Sequence, residues 1–407
     1  MPSISQQRHH TLSLTYGERS EQPNLTPLAT YLLRLMHLKK TNLCVSADVN
    51  TTTELLRLAE DVGDHICVLK THADIIDDFS DRTIRGLNEI SKRRKFLIFE
   101  DRKFGDIGSM VPYMAVDTLQ QQYTRGPLAI VKWASLVNAA LFPGPAVITA
   151  LAEAAQKAIA SHNTSVSTDI SASPAASLVD SGRDDESVEG TTSDDDDDDD
   201  EDEDEDSDAA APSEPHAEER KGRKQSVVSV STTISTKTEA ISPQPALRPT
   251  LSRDSTQSEE DEEEEQTAQQ LAELGPPPFY RSLLLLAQMS SAGNLLTPEY
   301  TAQCVQHARR HRDFVVGFIA QQSLNREAGD NFITMTPGVQ LTPGGDAHGQ
   351  QYNTPQRVVA EAGADVIIVG RGVLGAPVAE RKMAALRYRQ AGWGAYQQRL
   401  RAGRQRR

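Results

Sequence analysis

The chain has 407 residues, a formal net charge of −16 and three cysteines, Cys44, Cys67 and Cys304. Cysteines without metal or disulfide spacing exclude a disulfide-built scaffold, and no apolar run is long enough to cross a membrane. The acidic total misleads, because 13 consecutive acidic residues run from Asp194 to Asp206 and a second block fills Glu259 to Glu265. Residues 161–278 hold 33 acidic against 8 basic side chains, so the remainder carries about +9. A basic globular part suits an anionic substrate by steering. No zinc-finger or helix-turn-helix pattern accompanies it, so nucleic acid is not an expected partner.

In chain order, Thr26 to Leu38 repeats leucine at helical spacing, and Thr26 followed by Pro27 is a helix start. This predicts a helix beneath the core. LCVSADV (Leu43 to Val49) and VLKTHADI (Val68 to Ile75) are apolar strands that deliver Asp48 and Lys70 at their ends. FLIFEDRKFGDIG (Phe96 to Gly108) is a third, ending in Asp101, Lys103 and Asp106. Ser135–Ala139 reads equally as a strand or as a continuing helix. Further strands are expected from Ser282, over Phe314–Ile319, over Ile333–Thr336, and from Ile367. Helical segments between apolar strands are the βαβα pattern of a parallel sheet. Cys44 and Cys67 lie inside such strands, which predicts buried, reduced thiols and a cytoplasmic protein.

Residues 161–278 are rich in Ser, Thr, Asp, Glu, Pro and Ala. Such a segment buries too little apolar surface to offset the entropy of ordering it, and is expected to be a disordered insertion. The domain reading is therefore 1–160 as the first half of a barrel with its N-terminal helix, 161–278 as insertion, and 279–407 as the second half. Without the insertion, roughly 290 residues remain, a normal size for one (β/α)8 barrel.

Residues two apart on a strand share a face, so Asp101 and Lys103 are expected side by side, with Asp106 in the following turn. For that spacing alone, an ordinary surface ion pair is an equal alternative. Two lysines and three aspartates at corresponding ends of three early strands point instead to an active site.

These elements, with LLLAQMSSAG (Leu284 to Gly293), MTPGVQL (Met335 to Leu341), GDAHGQQY (Gly345 to Tyr352) and IIVGRG (Ile367 to Gly372), resemble the orotidine 5'-phosphate decarboxylase family, and more closely its fungal branch. The resemblance covers roughly residues 10–155 and 279–400. It implies an α/β fold built as a single (β/α)8 TIM barrel. It also implies loss of CO2 from C6 of orotidine 5'-monophosphate to give UMP, with no cofactor and no metal. Lys103 would donate the proton to C6. Asp101 would face the substrate carboxylate, and Lys70 and Asp106 would complete an alternating charge chain. Asp106 would come from the partner subunit, so a homodimer with shared active sites is expected. Asp48 and the Lys70–Asp106 chain would contact the ribose, Lys70, Thr71 and His72 would bind substrate, and Ser290 would face the pyrimidine, although Ser290 also reads as a helix N-cap. Pro337 would open a mobile loop. Gln350, Tyr352, Gly370 and Arg371 would bind phosphate in the loops after strands 7 and 8.

Where family members often read DIGNT, this chain reads Asp106-Ile-Gly-Ser-Met110, followed by Pro112, and Gln288 stands where Glu is frequent. A sister sugar-phosphate decarboxylase or aldolase on the same barrel shares D-x-K-x-x-D but uses Mg2+; the GQQY, LKTH and MTPGV elements argue against it. A barrel without catalysis, acting through its acidic insertion, is the reading from a different class.

Overall fold

The computed structural model describes residues 9–106, 118–125, 128–173, 227–236, 259–291, 293–345 and 351–405. Each apolar run becomes one strand: β1 Leu43–Ala47, β2 Val68–Thr71, β3 Leu97–Phe104, β4 Leu136–Ala139, β5 Ser282–Leu286, β6 Val315–Ile319, β7 Ile333–Thr336 and β8 Val366–Val369. All neighbours pair in parallel, and β1 pairs with β8, which closes the barrel. The ambiguous fourth segment is a strand. Leu136, Val137, Asn138 and Ala139 pair with Ser282 to Leu285. The two strands that flank the insertion are thus direct hydrogen-bonded neighbours.

Both faces of these strands are covered, which is why they read as continuous apolar runs rather than alternating ones. Their side chains, among them Leu69, Phe99, Leu285, Phe318 and Ile367, are buried. Gly317 is required on β6, since a Cβ there would meet the Ile333 carbonyl oxygen at 1.8 Å. The expected N-terminal helix spans Pro27–Lys39, and the Thr26 side chain accepts from the Ala29 N–H at 3.2 Å. It buries Leu28, Leu32, Leu35 and Met36. Its last residue, Lys39, is buried and donates to the carbonyls of Gly63, Ile66, Arg94 and Lys95. These groups precede β2 and β3, so the helix closes the N-terminal end of the barrel. At the same end, Arg19 and Arg399 converge on buried Asp365, just ahead of β8. Charges this deep are tolerated because they are paired.

Parts of the segment expected as an insertion belong to described elements. The helix before it runs Ala146–Asn163. Thr164–Ser173 and Val227–Thr236 make a two-stranded sheet. Glu259–Glu273 is helical, and Leu271 and Leu274 pack against the core. The Gly275 carbonyl accepts from Lys95 Nζ at 2.8 Å and from the Tyr31 hydroxyl at 3.3 Å. Composition averaged over 161–278 hid these leucines behind the acidic block. Leu271 in the last turn of the helix and Leu274 just beyond it both have a core to cover. The three prolines at 276–278 then end the helix.

Candidate active site

The C-terminal ends of β1, β2 and β3 bring together most of the polar residues singled out above. Lys70 is the third residue of β2, and its Nζ donates to Asp101 Oδ2 at 2.7 Å. Lys103 Nζ donates to Asp101 Oδ1, also at 2.7 Å. One carboxylate therefore separates two ammonium groups. Burial alone would raise the Asp101 pKa, but the charges and hydrogen bonds of Lys70 and Lys103 outweigh it and hold the carboxyl well below the usual range.

Lys70 Nζ also lies 2.6 Å from His72 Nε2. An ammonium can only donate, so this nitrogen accepts and the imidazole is neutral. Burial, followed by the Lys70 charge, lowers the His72 pKa in agreement. The separations of His72 Nε2 from Asp48, 3.6 Å, and from Asp101, 3.5 Å, are then proximities rather than ion pairs. Asp48 follows β1 directly and accepts from the Ser46 hydroxyl at 2.7 Å.

Asp101 and Lys103 meet as expected, but not through flat strand alternation. The β3–β4 register shifts between Glu100 and Phe104, and Lys103 has φ +51°. A side-chain-bearing residue in that region costs of order 1–3 kcal/mol and persists only where its surroundings fix it. Here the Lys103 N–H donates to Asn138 Oδ1 at 2.6 Å, and Asn138 Nδ2 donates to Asp101 Oδ1 at 2.7 Å. The sequence reading missed Asn138. Its only signal is one amide in the apolar run SLVNAAL.

Glu100 was also missed, and is fully buried. It accepts from the Thr71 hydroxyl at 2.6 Å and from the Ala73 N–H at 3.0 Å, tying the end of β2 to β3. Burial pushes its carboxyl up to about 7, against the pull of those two hydrogen bonds. The Thr71 hydroxyl thus points at Glu100. Asp106 is exposed, two residues beyond β3. Met110 and Pro112 lie outside the described residues.

On the other side of the barrel mouth, Pro337 follows β7 directly and Gly338 takes φ +73°. The loop then folds back on itself. Asn353 N–H donates to the Gly338 carbonyl and Gln340 N–H to the Asn353 carbonyl, both at 3.0 Å, and Gly344–Gly345 pairs with Gln351–Tyr352. Gln350 lies outside the described residues. The Gln351 N–H reaches the Ser290 carbonyl at 3.4 Å, which joins the β5 loop to the hairpin. Gln288 Oε1 accepts from the Gln321 N–H at 3.0 Å and so links the loops after β5 and β6. The Arg371 guanidinium lies over the Tyr352 ring, 5.2 Å from its centroid. Gly370, which precedes Arg371, faces β1: a Cβ there would sit 3.0 Å from Asp48 Oδ2. The β8–β1 seam therefore joins the Gly370–Arg371 group to the charged cluster.

A cavity of about 650 Å³ lies elsewhere, lined by Arg125, Lys132, Lys157, His162 and Phe279 among others. Lys132 and Phe279 precede β4 and β5, which places it at the barrel's N-terminal end, opposite the charged cluster. Among the described residues, no helix is long and apolar enough to cross a membrane.

The geometry agrees with what known proteins say of this chain. Residues 41–245 and 254–387 match the family model described as Orotidine 5'-phosphate decarboxylase / HUMPS family. The orotidine 5'-phosphate decarboxylase of Aureobasidium pullulans is 42% identical over 390 residues, covering 96% of both chains. That of Hypocrea atroviridis is 41% identical over 410 residues, covering 96% of this chain and 99% of its own. A crystal structure of orotidine 5'-monophosphate decarboxylase from Methanocaldococcus jannaschii, complexed with inhibitor BMP, aligns over 86% of this chain and 98% of its own, at 14% identity and a TM-score of 0.42. With two fungal relatives above 40% identity along nearly the whole chain, and a closed parallel barrel carrying lysines and aspartates at its strand ends, the chain belongs to the orotidine 5'-phosphate decarboxylase family.

Proposed function

We propose that this protein decarboxylates orotidine 5'-monophosphate to UMP, the last step of de novo pyrimidine synthesis, without a cofactor, and that Lys103 delivers the proton. The observation that carries the reading is the contact of Lys70 and Lys103 with one Asp101 carboxylate, both at 2.7 Å.

The C6–CO2 bond breaks, its electron pair stays on C6, and CO2 leaves. C6 then takes a proton from Lys103 Nζ, and the resulting amine regains one from solvent. An ammonium beside C6 both stabilises the developing carbanion and supplies the proton. Asp101 stays ionised between its two lysines. Set beside the substrate carboxylate, it repels the ground state, and that repulsion disappears as CO2 departs. Lys70 holds Asp101 on the side away from Lys103. Binding energy comes from groups remote from C6, as differential catalysis requires. Arg371, with Tyr352, Gln350 and the Gly370 backbone, takes the phosphate. Asp48 and His72 take the ribose, and Ser290 the pyrimidine edge. The hairpin that starts at Pro337 closes over the substrate.

Asp106 serves the site of a second copy, so the working unit is a homodimer. Three buried free cysteines suit a reducing, cytosolic setting. The test is direct UMP formation by purified protein, with and without EDTA. Equal turnover in both supports the reading. No turnover by folded protein, or strict dependence on Mg2+, overturns it.

A further inference from the structure

We propose that Asn138 is a positioning residue of this reaction: its one side-chain amide locks the Asp101 carboxylate and the Lys103 backbone into a single unit. The inference rests on the decarboxylase reading above.

Asn138 is buried on β4, opposite Leu284 of β5. Its orientation follows from chemistry. A backbone N–H only donates, so the atom 2.6 Å from the Lys103 nitrogen is the amide oxygen. The amide nitrogen is then left to donate to Asp101 Oδ1 at 2.7 Å. That same oxygen accepts from Lys103 Nζ. A closed ring results: amide to carboxylate, carboxylate to ammonium, and the lysine's own backbone to the amide.

The ring sits where the β3–β4 ladder is interrupted between Glu100 and Phe104. At that break Asn138 receives the Lys103 N–H and fixes the left-handed backbone at φ +51°. Without it, Lys103 can relax to an ordinary conformation that aims its ammonium elsewhere. Other residue types do not fit. Leucine offers neither donor nor acceptor, glutamine is one carbon longer, and an ionised aspartate opposes Asp101 with a second negative charge.

The experiment compares Asn138→Ala and Asn138→Asp with wild type in steady-state UMP formation from about pH 5 to about pH 9, together with Tm. A misplacement on the order of 1 Å costs about 100-fold, so Asn138→Ala should lose about that factor in kcat. Its KM should stay within about threefold, because phosphate and ribose are held elsewhere. Asn138→Asp should be impaired at neutral and alkaline pH and recover as pH falls. The introduced carboxyl, once protonated, donates to Asp101 while its carbonyl accepts from Lys103. The charged groups in contact with Asn138 are Asp101 and Lys103 on β3, and Lys70 on β2 binds the other oxygen of Asp101; β5 pairs through leucines, with Leu284 opposite Asn138. Wild type and Asn138→Ala should lack the acid-side recovery. Either variant within threefold of wild-type kcat throughout, or Asn138→Asp with a wild-type pH profile, overturns the proposal. If Asn138→Ala does not fold, the near-isosteric Asn138→Asp decides. Failure of folded wild type to form UMP would instead reject the decarboxylase reading, and the positioning role with it.

Discussion

Lys70 and Asp101 face each other across β2 and β3 with 2.7 Å between Nζ and Oδ2, and both are largely shielded from solvent. Neither charge could be kept there alone, since an unpaired buried ion is costly. The pair, extended by Lys103, keeps a carboxylate ionised beside the position where a substrate carboxylate is proposed to sit.

If Lys103 delivers the proton, Lys103→Ala should lose at least about 10³-fold in kcat, combining general acid catalysis with charge stabilisation. Arg371→Ala should chiefly raise KM for orotidine 5'-monophosphate. Steady-state kinetics on both variants checks the split. A Lys103→Ala enzyme within tenfold of wild type would mean that the reaction centre lies elsewhere.

Mixing Asp106→Ala protein with Lys103→Ala protein should restore activity if Asp106 serves the neighbouring site. Each hybrid dimer would then hold one intact site. Absence of complementation, with subunit exchange confirmed by differently tagged chains, would reject the shared site.

Glu100 carries a pH dependence of known sign. Its folded pKa is raised from 4.5 to about 7 by burial. The stability it contributes is therefore complete below the unfolded value and is lost as pH rises through about 7. Glu100→Gln removes the titration. Relative to that variant, wild type should lose about 2–3 kcal/mol between about pH 5 and about pH 8 in urea unfolding. A pH-independent difference would show that Glu100 titrates normally.

Replacing residues 165–235 with a short Gly/Ser linker should leave kcat unchanged and shift stability by no more than about 2 kcal/mol, because closure entropy grows slowly with loop length. Extending the deletion to Gly275 should cost about 3 kcal/mol. It removes Leu271 and Leu274 from the core and the Gly275 carbonyl from Lys95 and Tyr31. Thermal melts of the two shortened proteins test where the insertion ends. Equal stability would place the boundary beyond Gly275.

Apolar runs alternating with helical segments specified a parallel α/β sheet, and the family resemblance made it a closed barrel. A strand buried on both faces must be apolar throughout, and that is visible residue by residue. The same logic located Asp48, Lys70, Asp101 and Lys103, because charges at the end of an apolar run stand out. The fourth strand was undecided from pattern alone, since IVKWASLVN has no period of its own; the family resemblance made it a strand, and pairing with β3 and β5 bears that out. Asn138 and Glu100 escaped notice because their roles exist only across strands. The left-handed backbone of Lys103 depends on a register shift between β3 and β4, which leaves no trace in local composition. The helix Glu259–Glu273 escaped for the same reason: two leucines behind an acidic block acquire meaning only when a core lies within reach. Local sequence records what a residue must avoid or cover, whereas the partner that makes a buried amide or carboxyl tolerable comes from a distant strand and is supplied only by tertiary structure.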